Sequence, residues 1–194
     1  MGRRLRAVRP KDVSVKLKLP FLGEFGGTWA PQRAEAEAAW ELYVELVTRI
    51  AVVELRPGEG LAREALTSIY SLFGTTREIL RKYGPAVSPA DHRGDFTFGT
   101  IAITVLNATL RPLLSRWHPR LGSWEAACPE KTAAVDHENA WEHIGELRGE
   151  LESVRRSLVD LAELLAEVAG AAPLVTDPRL FGDHEKQRGG VADY

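Results

Sequence analysis

The segment NATLRPLLSRWHPRL, residues 107–121, holds the densest set of chemically capable side chains in the sequence: Arg111, Ser115, Arg116, His118 and Arg120. On a continuous helix Arg111, Ser115 and His118 fall on one face, at i, i+4 and i+7. Two chemistries suit that set. In the first, Ser115 is a nucleophile, and His118, three residues on, takes its proton. A third group must orient the base. Asp91 or Asp95, in the connection PAVSPADHRGDFTFG at 85–99, supplies it if that loop folds back. No GxSxG elbow accompanies the serine. In the second, Arg111, Arg116, His118 and Arg120 form a cationic patch whose guanidinium forks fit carboxylate or phosphate. The competing expectation is internal pairing, with Glu35, Glu37, Glu41, Glu45, Glu142 and Glu146 as acceptors. Trp117 and Trp124, seven apart, read as core wedges.

Other chemistries find no pattern. The histidines are His92, His118, His137, His143 and His184, and none sits in HExxH. Glu138 and His143 are five apart and Glu142 and His143 are adjacent, so DHENAWEHIGE misses the Glu-x-x-His spacing of bundle metal sites. Neither metal nor cofactor is expected. The glycines of GEFGGTWAP (23–31) follow neither GxGxxG nor a phosphate loop, and the stretch reads as a turn. A lone Cys128 forms no intramolecular disulfide, which suits a reducing, cytoplasmic setting.

Charge is uneven. Residues 1–18 carry seven basic side chains and one acidic, Asp12, so the net charge of −2 leaves −8 on the rest. Such an arm can fold back on its own body or meet nucleic acid, anionic lipid or an acidic protein. MGRRLRAVRPKD lacks the apolar run of a signal peptide. FTFGTIAITVLNATLRPLL (96–114) is interrupted by Asn107, Arg111 and Pro112 and reads as a buried helix rather than a membrane span.

The elements that must position these groups follow from periodicity. VSVKLKLPF (13–21) alternates as a half-buried strand without a strong partner strand in the chain. A first helix is expected over 31–56, with Trp40, Tyr43, Val44, Val47, Ile50 and Ala51 inward. A second spans 59–83 and stops at Gly84-Pro85. A third starts near Thr100, bends at Pro112 and ends at His118, before Pro119. A fourth runs over 137–169 with a heptad seam, and at about 1.5 Å per residue it would be roughly 50 Å long and overhang its neighbours.

The expected architecture is all-α: a four-helix-bundle-like single domain with a kinked central helix, a long C-terminal heptad helix and an N-terminal strand-like arm. Residues 1–30 form the basic arm, 31–169 the bundle and 170–194 a flexible or extended tail. The function expected is that of a non-enzymatic interaction or adaptor module. Its surfaces would be the seam Leu151, Val154, Leu158, Leu161 and Leu165, and the arm. Its partner would be another protein or a second copy of the chain. The alternatives are a hydrolase-like or anionic-ligand-binding protein built on residues 91–95 and 111–120, and a weak nucleic-acid-associated protein acting through the arm. The Arg-, Ala- and Leu-rich usage suits a bacterial protein.

Overall fold

A computed structural model describes residues 12–55 and 59–174. It is not an all-α four-helix bundle. Strand β1 (Val13–Leu19) pairs antiparallel with β2 (Gly23–Trp29), in a register running from Val13 opposite Trp29 to Leu19 opposite Gly23. The stretch expected as a glycine-rich turn is therefore the missing partner strand. β1 alternates as expected, with Val13, Val15, Leu17 and Leu19 buried and Ser14, Lys16 and Lys18 outward. The hairpin is built into the core rather than held out as an arm. β1 packs on the last long helix, whose Ser157 hydroxyl donates to the Lys18 carbonyl at 2.8 Å.

A strap closes over β2. Asp95 Oδ2 accepts from Thr28 N at 2.8 Å and from Thr28 Oγ1 at 3.1 Å, and the Asp95 and Phe96 amides donate back to the Thr28 carbonyl. These bonds to its backbone amide and hydroxyl lower the Asp95 pKa. Two glycines permit this approach. A Cβ on Gly27 would meet Asp95 Oδ2 at 2.6 Å, and Gly94, at φ +86°, has the Thr28 carbonyl 2.7 Å from where its Cβ would lie. The 85–99 connection is thus tied to the sheet at its C-terminal end.

The helices are α1 (Arg33–Val47), α2 (Ala62–Tyr83), α3 (Phe98–Val105), α4 (Arg111–Glu125), α5 (Ala134–Asn139) and α6 (Ile144–Ala169). Helix α1 is shorter than expected and rolled. Ala38, Ala39, Leu42, Tyr43 and Leu46 face inward, while Trp40 is 47 % exposed and Val44 38 %. Small alanines on the inner face allow α1 to pack against α6, and the bulkier stripe is left outside. Helix α2 buries Ala62, Ala65, Leu66, Ile69, Leu72, Thr76 and Ile79 and stops at Gly84, as its sequence dictates.

Between α3 and α4, Leu106–Leu110 form a π turn, with the Arg111 amide bonding the Leu106 carbonyl. The wider turn precedes Pro112, which has no amide hydrogen to give. The helix neither breaks there nor ends at His118: it continues through Pro119, on the exposed side, to Glu125. Phe98–Glu125 is, among the described residues, the one helix long and apolar enough to cross a membrane, and half of its apolar window is buried inside the fold.

The expected helix over 137–169 is two helices. α5 ends at Asn139, and α6 begins at Ile144 and stops at Gly170 with φ +68°. At 26 residues α6 is about 39 Å long, about 6 Å more than the 22-residue α2, rather than the roughly 50 Å expected. Its buried set includes Ser157, Ala162, Leu164 and Ala166, which flank the seam. A stripe that wide belongs to a core helix covered on several sides, here by α1, β1, α2 and α4, rather than to a coiled-coil seam. Beyond it the Ala172 carbonyl and the Leu174 amide both bond the Tyr43 hydroxyl at 2.7 Å, which fastens the first residues of the tail to α1. The rest of the tail, 175–194, and the arm residues 1–11 lie outside the described residues.

Candidate functional site

The residues proposed for nucleophilic chemistry do not converge. Ser115 is exposed, and Asp91 lies in a groove lined by neither Ser115 nor His118. His118 points at α2. Its Nδ1 accepts from Arg63 Nη1 at 3.2 Å, and Glu125 holds the same guanidinium at 2.6–3.0 Å. The ring proton therefore sits on Nε2, which is buried beside the Leu66 backbone. Neither nitrogen is open to a serine. Burial and the neighbouring Arg63 charge lower the His118 pKa.

That shift has a measurable sign. The folded state disfavours the imidazolium, so below pH about 6.5 the unfolded chain takes up the proton more readily and stability falls. We expect the denaturation midpoint to drop between pH 7 and 5.5 more steeply in the native chain than in His118→Asn. The asparagine keeps an acceptor for Arg63 but does not titrate. Parallel pH profiles for the two chains would show that His118 does not contribute.

The cationic patch is engaged internally. Arg116 bridges to Glu146 and Glu150, the first of which sequence reasoning named as a possible acceptor. Arg111 donates to Asn107 Oδ1 at 3.0–3.1 Å and lies 5.4 Å over the Phe73 ring. Arg120 lies 5.6 Å from the Trp117 ring centroid, and Arg116 4.9 Å. Trp117 is a core wedge, as expected: fully buried, it gives its indole N–H to Glu150 at 2.8 Å. Trp124 stacks on His137 at 4.6 Å, and its indole N–H and the His137 ring bond each other's carbonyls. Among the described residues no group of His, Cys, Asp and Glu side chains is placed to hold a metal ion.

The seam residues are buried too. Leu151, Val154, Leu158, Leu161 and Leu165 are each at most 5 % exposed. They hold this chain together and are not available to a partner.

Two carboxylates, Glu35 and Glu138, are buried and structural. Glu35 is 1 % exposed and accepts from Trp29 Nε1 at 3.0 Å, from the Phe98 amide at 3.0 Å and from the Gln32 amide at 2.8 Å. It joins the end of the hairpin to the first turns of α1 and α3. Glu138, also buried, accepts from the Ala62 amide at 2.9 Å and so caps α2 from α5. A glutamate three residues into a helix, after a glutamine cap, is the signal that could have found Glu35.

A groove of about 870 Å³ runs along α1. It is lined by Ala36, Trp40, Tyr83 and the turn Ala30-Pro31-Gln32, with Asp12, Glu37, Glu41 and Asp91 against Arg33 and Arg93. Trp40 and Glu41 also line a second depression, of about 510 Å³, that runs between α1 and α2 past Val44, Glu45, Glu78 and Lys82. Together the two surfaces present six carboxylates and three cations. Glu41 Oε1 takes hydrogen bonds from both Lys82 and Tyr83, which lowers the Glu41 pKa against the opposing effect of burial. The Oε1 atom of Glu37 takes Arg33 at 2.8 Å. In both glutamates Oε2 has no hydrogen-bond donor among the described residues.

Compared with protein-family models, curated proteins and solved structures, the chain matches none. The groove must therefore be interpreted from its own chemistry. An exposed indole beside carboxylates offers a flat apolar face and a negative rim. That combination suits a guanidinium or ammonium group carried on an apolar segment.

Proposed function

We propose that this chain is a non-enzymatic protein-binding module that takes an extended, basic segment of a partner into the groove over Trp40. The observation that carries the reading is Trp40 itself: a large aromatic side chain, 47 % exposed, on a helix whose inner face is fully packed without it. Aromatic anchors of this kind dominate protein interfaces, and a carboxylate rim selects cationic partners. The burial of the α6 seam and the ion pairs of Arg116 with Glu146 and Glu150 favour the groove over those two surfaces. The same carboxylates would repel a phosphate backbone, which argues against nucleic acid at this face.

The test is selection of random peptides on the purified chain, followed by titration of the winners. Peptides rich in arginine or lysine next to apolar residues are expected. Trp40→Ala should weaken them by about 30-fold, the effect of losing a binding hot spot, with the melting temperature little changed. Raising the salt should also weaken them, since the rim is exposed. Selection of no peptide, or of peptides that bind Trp40→Ala as tightly, would exclude the groove as a docking surface.

A further inference from the structure

Residues 1–11 precede Asp12, which lines this groove. Val13 is buried and paired with Trp29, whose indole Glu35 holds. The root of the segment is thus fixed beside the first turn of α1. The sequence MGRRLRAVRPK carries five basic side chains, Arg3, Arg4, Arg6, Arg9 and Lys11, and no acidic one. Leu5 and Val8 lie between them. At about 3.3 Å per residue its eleven residues reach up to about 36 Å.

The chemistry of this segment is that of the ligand inferred above, on which the present inference rests. We propose that residues 1–11 are the groove's own intramolecular occupant, an autoinhibitory segment that a partner must displace. The indole of Trp40 offers a stacking face for a guanidinium. Asp91 and the Oε2 atoms of Glu37 and Glu41 offer acceptors for the other arginines. The C-terminal ends of α2 and α6 reach the same rim at Tyr83 and Ala169, adding the negative ends of their backbone dipoles. The positive end of α1 is also there, and Glu35 in its first turn meets it.

Tethering makes weak contacts sufficient. A segment held at one end of a groove experiences an effective concentration in the millimolar range, which a free peptide must overcome. Self-occupancy therefore lowers the affinity for any competitor without changing the contacts.

The experiment compares the native full-length chain with a full-length variant carrying Arg3→Glu, Arg4→Glu, Arg6→Glu and Arg9→Glu. The probe is a synthetic peptide of residues 1–11, titrated by calorimetry. Circular dichroism and melting curves check that the variant is folded. The variant should bind the peptide at least about tenfold more tightly than the native chain. Adding Trp40→Ala should abolish that binding. Equal affinity for the two chains, or no binding to the folded variant, would overturn the inference. The groove reading is scored separately by the randomly selected peptides. If they bind both chains equally and depend on Trp40, the groove stands and the autoinhibitory segment falls. If no peptide binds either chain through Trp40, both fall.

Discussion

Leu158→Asp should leave the chain unfolded at room temperature. Leu158 is fully buried in the middle of α6, with Leu151, Val154, Leu161 and Leu165 above and below it. Truncating a buried leucine costs roughly 2–5 kcal/mol, and a carboxylate there must either stay charged without a partner or take up a proton, at several kcal/mol more. A domain of this size has roughly 5–15 kcal/mol in total. The expected result is loss of the helical circular dichroism signal in the absence of denaturant. A coiled-coil seam on an overhanging helix would behave differently: the substitution would leave a folded monomer and abolish only association. A helical, cooperatively melting Leu158→Asp chain would therefore restore the seam as an exposed surface.

Glu35→Ala should cost about 4 kcal/mol, since it strands three donors at roughly 1–3 kcal/mol each: the Trp29 indole, the Phe98 amide and the Gln32 amide. Few single surface-type glutamates approach that figure. Glu35→Gln should be milder. An oxygen kept at Oε1 still accepts from Trp29 and Phe98, but the new amide nitrogen faces the Gln32 N–H, and one hydrogen bond becomes a donor–donor conflict. Urea denaturation of both variants gives the comparison. Removing the indole donor in the same chain, with Trp29→Phe, should recover little, because the two backbone amides remain stranded. If Glu35→Ala shifts the midpoint no more than a typical surface substitution, the carboxylate does not join these elements. Binding by the groove should weaken with it, because Trp29 positions Val13 and hence the wall that Asp12 forms.

Side chains with the same sequence signature had different fates. The alternation of residues 13–19 specified a strand with one buried face, because a period of two admits no other geometry. The Gly84-Pro85 stop and the end of α6 before Gly170 were legible for the same reason: each is a local rule about one stretch of backbone. The second strand was not legible. Its glycines resemble a turn, and they are required only because the strap at 94–96 lies against them.

For the candidate site the division is sharper. By itself the sequence determined the chemical inventory: a basic N-terminal segment, an acidic body, arginines at 111–120 and too few metal-type or catalytic motifs. Only the tertiary structure decided which groups are available. On α1 two stripes competed, one of alanine and leucine and one containing Trp40 and Val44. Close packing against α6 selected the first and left the aromatic outside. On α6 the seam residues Leu151, Val154, Leu158, Leu161 and Leu165 are buried, but the neighbours that cover them come from β1, α1, α2 and α4, at sequence separations that no periodicity contains. Likewise Ser115, His118 and Asp91 met the spacing for catalysis only on paper, because Arg63 and Glu125, from outside that motif, fix where the imidazole points. Local sequence sets the period and the ends of an element. Which of its faces meets solvent is set by long-range packing, and function is exerted through that face.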